Sequence, residues 1–167
     1  MIDLSRRLDE PTELQRMLGD SAANYFAEST EGACLRNWRG RLPGHDSLGW
    51  KRMAELGWQG LCMPENLGGS ELGVAEACVL QEQFGRALAP EPLLAGAWLP
   101  AWVLVHGDCV ALRNRWLPML ARGEVQMALA GDDEGNDEHG DDLRATPNDS
   151  GWTLSGRKQY VAAAAGA

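Results

Sequence analysis

The stretch ELGWQGLCMPENLGGSELG, Glu55 to Gly73, decides how this chain is read. Gly57 stands where a helix can end, because a left-handed residue closes the last turn and glycine takes it without steric cost. Pro64 and the Gly68-Gly69 pair then build a tight turn, the glycines allowing backbone angles closed to other residues. Glu65 caps or pairs locally, and nothing in the pattern assigns it chemistry. The stretch therefore reads as a connector between two helices.

The flanks follow from that reading. Upstream, Asp46 can cap a short helix carrying Leu48, Met53 and Leu56. Before it, Leu14, Met17, Leu18, Ala22, Tyr25 and Phe26 recur at the three-and-four spacing of an amphipathic helix, with Pro11 tolerable in its first turn. Downstream, Ser70 can cap a helix whose Val74, Ala77, Cys78, Phe84 and Leu88 form one stripe before Pro90 stops it. The run Pro92 to His106 is apolar all round, which predicts a helix at the centre of a bundle, bent by Pro100. Asp108 can cap a fifth helix, with Val110, Leu112, Trp116, Leu117 and Leu120 facing inward before Gly123.

After Gly123 the period changes. VQMALA, LRAT and WTLSG read as strands, the last two separated by the turn cluster PNDSG, and KQYVAAAA reads as a fourth strand. The expected architecture is a mainly α N-terminal helical domain, residues 1–123, followed by the beginning of an antiparallel β-domain, residues 124–167. Roughly forty residues of strand and loop do not close a sheet with two covered faces, so the chain reads as truncated.

Composition bounds the partners. The chain has 167 residues, is 44% hydrophobic and carries a formal charge of −9, enough for one ordinary domain and part of a second. Seven carboxylates fall within Asp132 to Asp142, so −9 less these seven charges leaves −2 elsewhere. With its basic residues scattered, the chain lacks the clustered Lys and Arg that phosphate binding needs, which argues against a nucleic-acid partner. Pro92 to Val105 lacks charges but is shorter than the roughly 20 residues a membrane span takes. Cys34, Cys62, Cys78 and Cys109 lie far apart, and with no secretory signal at the start they read as reduced thiols of a cytoplasmic protein.

Several stretches in collinear order resemble the acyl-CoA dehydrogenase family. ELGWQGLCMPENLGGSELG is similar to the loop after that family's second helix, RNRWLPMLARGE to its fifth helix, and GWTLSGRKQYV to its GW-x-L-x-G-x-K hairpin. The resemblance covers most of Glu55 to Ala167. It implies an N-terminal helical domain, the start of a middle β-domain, and no counterpart of the family's C-terminal four-helix bundle.

The resemblance also implies a chemistry. Such enzymes remove an α-proton from an acyl-CoA thioester while a β-hydride passes to a flavin, in fatty acid metabolism. The family's base is a glutamate of the C-terminal bundle, so no residue here is assigned as catalytic base or metal ligand, and the chain alone is expected to be inactive. The flavin-holding positions carry over one by one. Aligning the strand that ends at Ala130 puts Asp132 at the family's threonine, Asp133 at its glutamate and Glu134 at its proline, with Gly135 kept as a small residue. Tyr160 falls where the family places an aromatic residue near the flavin ring, and Ala162 and Ala163 replace its Thr-Asn. The implied cofactor is FAD, yet a carboxylate beside its pyrophosphate adds repulsion of about 1 kcal/mol or more, which weighs against this loop holding it.

Other constellations carry less. Read as a calcium loop from Asp132, the acidic run has Asp137 where glycine belongs and Leu143 where glutamate belongs. His139 has no partner at metal-ligand spacing, and His45 and His106 sit at helix ends without a nucleophile. Trp98 and Trp102, four apart, and Trp116 on the next helix either pack the core or line an acyl-chain pocket.

Two functional readings stay open. One is a flavin-dependent acyl-CoA α,β-dehydrogenase in full-length form, acting on an acyl-CoA substrate. The other is a non-catalytic partner or scaffold subunit, because the altered flavin positions resemble the second subunits of some two-gene acyl-CoA dehydrogenases. Both imply homo- or hetero-oligomers with acyl-CoA dehydrogenase subunits. A cation-binding acidic protein is the third reading.

Overall fold

The structure is a computed structural model, describing residues 10–28, 38–131 and 143–167. Helices α1 (Glu13–Glu28), α2 (Ser47–Glu55), α3 (Val74–Ala87), α4 (Leu99–His106) and α5 (Val110–Ala121) come first. A two-stranded antiparallel hairpin, β1 (Arg144–Asn148) and β2 (Gly151–Ser155), follows.

The starts of α1, α2 and α3 are set by local side chains. Thr12 and Gln15 bond reciprocally at the head of α1, the Gln15 amide donating to Thr12 Oγ1 at 3.1 Å and the Thr12 amide to Gln15 Oε1 at 2.9 Å. Asp46 caps α2 as expected, accepting the Leu48 amide at 3.0 Å. At α3 the cap is Gly73, whose amide donates to Glu76 Oε2 at 3.0 Å. Ser70 lies three residues before it, its amide spent on the Gly60 carbonyl at 3.1 Å inside the connector. Cys109 occupies the cap position of α5 in place of Asp108, and no side chain bonds there.

The core gathers around Trp58, at the centre of the deciding stretch. Tyr25 and Phe26 of α1 and Phe84 of α3 meet its ring at centroid distances of 5.2, 6.0 and 5.7 Å. Met53, Met63, Leu80, Leu93, Leu117 and Leu120 complete the buried cluster. Inner faces are narrower than the apolar stripes. Leu14, Met17, Leu48, Leu56, Val74, Leu88, Val110 and Leu112 are exposed, because each helix touches the cluster along only part of its length.

The fourth helix departs most from expectation. It opens with a wide π-turn, Leu94–Trp98, whose Leu94 carbonyl accepts from the Leu99 amide, and continues into α4. The irregularity precedes Pro100. Lacking an N–H, Pro100 cannot bond the carbonyl four residues back, which is that of Gly96. The helix is also not enclosed: Leu93, Ala97, Trp98 and Ala101 are buried, whereas Leu94, Leu99, Trp102 and Val103 are exposed.

Two of the four expected strands form. Asn148 pairs with Gly151, and Asn148 Oδ1 accepts the Ser150 amide at 3.0 Å, making the PNDSG cluster a two-residue turn. Residues 125–131 run without secondary structure, and 158–163 do not form the fourth strand. Strands need a ladder partner. Instead Tyr160 and Ala163 turn through left-handed backbone, φ +52° and +64°, into a short 3₁₀ turn at Ala164–Gly166.

Candidate functional site

The connector shows why its residue types are needed. Gly68 adopts φ +90°, the left-handed region that closes the 3₁₀ turn Glu65–Leu67. Gly69 serves space rather than angle: a Cβ there would lie 2.0 Å from the Met63 carbonyl oxygen. Bonds from the Glu71 amide to Met63 O and from the Leu72 amide to Leu61 O, both 2.9 Å, fold the connector back on itself. Glu65 is exposed on this turn.

A polar cluster is buried beside α2. His45 packs on the Trp50 ring at 5.8 Å, and Gln59 Nε2 donates to the Trp50 carbonyl at 2.6 Å. Burial holds the His45 imidazole below its ordinary pKa, against the opposing pull of a bond to Pro43 O and the charge of Asp46. Burial likewise lifts the Glu91 carboxyl above its usual range, although its own and the Asp46 backbone amides bond the charged form. These groups fasten the start of α2 to the segment before α4. No chemistry converges on them, and no group of three His, Cys, Asp or Glu side chains placed to hold a metal occurs among the described residues.

The tryptophans separate. Trp98 turns into the core, 6% exposed, and its Nε1 donates to the Trp58 carbonyl at 2.8 Å. Trp102 is 51% exposed, its ring against His106 at 4.3 Å. Trp116 is half-buried under the Arg115 guanidinium, 4.7 Å away. They do not form one wall. On the fourth helix the exposed apolar residues are instead Leu94, Leu99, Trp102 and Val103.

Residues 125–131 meet the start of this helix at its buried side, where Val125 and Met127 pack against the core. The Gly96 carbonyl, which Pro100 leaves without its helical donor, accepts the Met127 amide at 3.0 Å. Gln126 Nε2 donates to the Ala163 carbonyl at 2.9 Å, and Lys158 Nζ to the Gly131 carbonyl at 3.3 Å. Of the residues expected to hold a flavin, Ala130 therefore lies beside the segment that carries Tyr160 and Ala162. All three are exposed, Tyr160 at 88%. Asp132, Asp133 and Gly135 lie outside the described residues. Gly96, Pro100, Gln126 and Met127 were not singled out from sequence as joining these parts. The signal for the junction is Pro100 four positions after a glycine, but its partner, Met127, lies 31 positions further along.

Comparison with known proteins follows the same lines. The sequence profile described as acyl-CoA dehydrogenase, N-terminal domain, matches residues 12–124. The acyl-CoA dehydrogenase FadE12 of Mycobacterium tuberculosis is 30% identical over 161 residues, covering 92% of this chain and 39% of that protein. The mitochondrial isovaleryl-CoA dehydrogenase of Pongo abelii is 29% identical over 116 residues, 67% of this chain and 27% of that one. Among solved structures, a variant of the steroid ACAD Tcur3481-Tcur3483 superposes with a TM-score of 0.77 at 30% identity, over 93% of this chain and 43% of its own. The ChsE4-ChsE5 complex of Mycobacterium tuberculosis, at 24% identity and a TM-score of 0.77, shares the fold over 91% of this chain and 41% of its own. The chain thus spans about two fifths of the length of FadE12. With the profile running through all five helices and the fold shared on into the hairpin, the chain belongs to the acyl-CoA dehydrogenase family.

Proposed function

We propose that this chain supplies the helical wall and the first flavin-facing segment of an acyl-CoA dehydrogenase, which in its whole form removes hydrogen across the α,β bond of an acyl-CoA thioester. One observation carries the reading: the Met127–Gly96 hydrogen bond, which ties the segment after Gly123 to the start of the apolar helix. In this reading the acyl chain lies along Leu94, Leu99, Trp102 and Val103, on the same helix that holds Met127. FAD, when bound, takes up the β-hydride, which no protein side chain can accept.

The residues present fit one side of such a cofactor. Ala130 and Ala162 are exposed and short, and the Tyr160 ring is open to stack on a planar group. The role of this chain is to hold substrate and flavin edge in register and to keep water from the acyl chain; the α-proton is left to a base outside it. The proposed division is a helical domain of residues 1–123 and the start of a β-domain from 124; Gly123 follows the end of α5 with φ +64°. The described cysteines, Cys62, Cys78 and Cys109, are free thiols, which suits a cytoplasmic setting. No helix among the described residues is long and apolar enough to cross a membrane.

A second reading is favoured by the two-protein names of the steroid ACAD and ChsE4-ChsE5 structures and by the carboxylates at Asp132 and Asp133. In it the chain supports an active acyl-CoA dehydrogenase subunit without holding FAD itself. Purifying the intact protein, alone and co-expressed with a second acyl-CoA dehydrogenase chain, separates the two. Yellow flavin absorbance and enoyl-CoA formation by the protein alone support the first reading. Flavin and activity only in the mixture support the second, and absence of both from both preparations refutes the enzymatic role.

A further inference from the structure

Gln126 sits between two glycines that leave room for it. A Cβ on Gly96 would lie 3.0 Å from Gln126 Cγ, and one on Gly166 would lie 2.6 Å from Nε2 and 2.9 Å from Oε1. The half-buried amide reaches across this gap to the Ala163 carbonyl, 37 residues away in sequence. Ala163 is itself held at φ +64°, a backbone region that an L-residue adopts only when its surroundings enforce it. The next amide along the chain, that of Met127, anchors the same segment to the Gly96 carbonyl. One short stretch thus grips the helical wall with its backbone and the terminal segment with its side chain.

We propose that Gln126 is a positioning residue that clamps Lys158–Gly166 against residues 125–131 and thereby sets the spacing between Ala130 and the Tyr160–Ala162 edge. Its meaning for catalysis rests on the reading of these segments as the flavin edge; the clamp itself does not. Methionine at this position matches the length of glutamine but donates no hydrogen bond. A methyl at residue 166 leaves the amide intact but fills the space it needs.

The test is amide hydrogen exchange on the intact protein carrying Gln126→Met or, separately, Gly166→Ala. Loss of one such bond predicts exchange about fivefold faster across Lys158–Gly166 in either variant, with α3 unchanged. Unchanged exchange in that segment overturns the proposal. So does equal acceleration in α3, which would make Gln126 a general stability residue. Where the wild type carries flavin, its dissociation should also quicken about fivefold, a readout that a purely structural role does not move. A wild type that holds no flavin, with the local acceleration present in the variants, refutes the flavin reading and supports the clamp.

Discussion

Replacing Gly69 by alanine tests the reasoning about the connector most directly. The added methyl would stand 2.0 Å from the Met63 carbonyl oxygen, 2.3 Å from its carbon and 2.6 Å from Met63 Cβ, where carbon contacts settle near 3.5–4.0 Å. Every atom it meets is backbone or buried stem, so no side-chain rotation relieves the clash. The two limbs must separate by more than about 1 Å. That movement breaks the Glu71–Met63 bond and strains the Gly69–Pro64, Ser70–Gly60 and Leu72–Leu61 bonds, all between 2.9 and 3.1 Å. Losing two or three of these at about 1 kcal/mol each, with Met63 loosened in the core, gives a destabilisation of about 3 kcal/mol. For a protein of this size the melting temperature falls by about 6–12 °C. Gly68→Ala is the control. It meets only Ala121 Cβ at 3.5 Å and bears the left-handed penalty alone, about 1–2 kcal/mol. Thermal and urea unfolding of the two variants decide the matter. A Gly69→Ala protein within about 1 kcal/mol of wild type, or a Gly68→Ala protein less stable than it, would refute the argument.

Trp98→Phe should cost about 2–4 kcal/mol in urea unfolding, since it leaves the Trp58 carbonyl without its donor and opens a cavity. Trp102→Ala, half-exposed, should cost under about 1 kcal/mol while altering acyl-chain preference, which rates on substrates of different chain length would report. Because the folded state disfavours the charged His45 imidazole, the unfolded chain takes up that proton first. Stability then falls as pH drops below about 6.5, and His45→Gln should flatten this slope in urea melts. Glu91 has the opposite sign: its raised folded pKa means stability gained as pH falls through that value and fully present below about 4.3, a gain that Glu91→Gln should abolish. Finally, Asp132→Thr removes one carboxylate from beside the expected pyrophosphate and should tighten flavin binding about fivefold by equilibrium dialysis; unchanged affinity would place the carboxylate away from the phosphates.

Much of the fold was legible because its signals are short-range. The Asp46 cap, the turn at Pro64 to Gly69 and the hairpin at Pro147 to Gly151 each depend on residues within a few positions of one another. Glycine, proline and short polar side chains act there through their own backbone limits, so their order in the chain sufficed. The site was less legible. The expected flavin positions Ala130, Tyr160 and Ala162 could be named from a resemblance, but not the groups that bring their segments together. The expected fourth strand failed for the same reason, since a strand is settled by a partner elsewhere in the chain.

By itself, then, the sequence determined the order of the helices, the Asp46 cap, where the chain turns, and which family pattern it carries. Only the tertiary structure decided which faces are inside and what each glycine is for. Gly69 makes room for the Met63 carbonyl, Trp98 and Trp102 part company four residues apart, and the carbonyl that Pro100 frees at Gly96 receives the Met127 amide. These are contacts between residues up to 40 positions apart, as at Trp98 and Trp58, and a one-dimensional pattern does not encode which distant group will occupy a space until the core around Trp58 has closed.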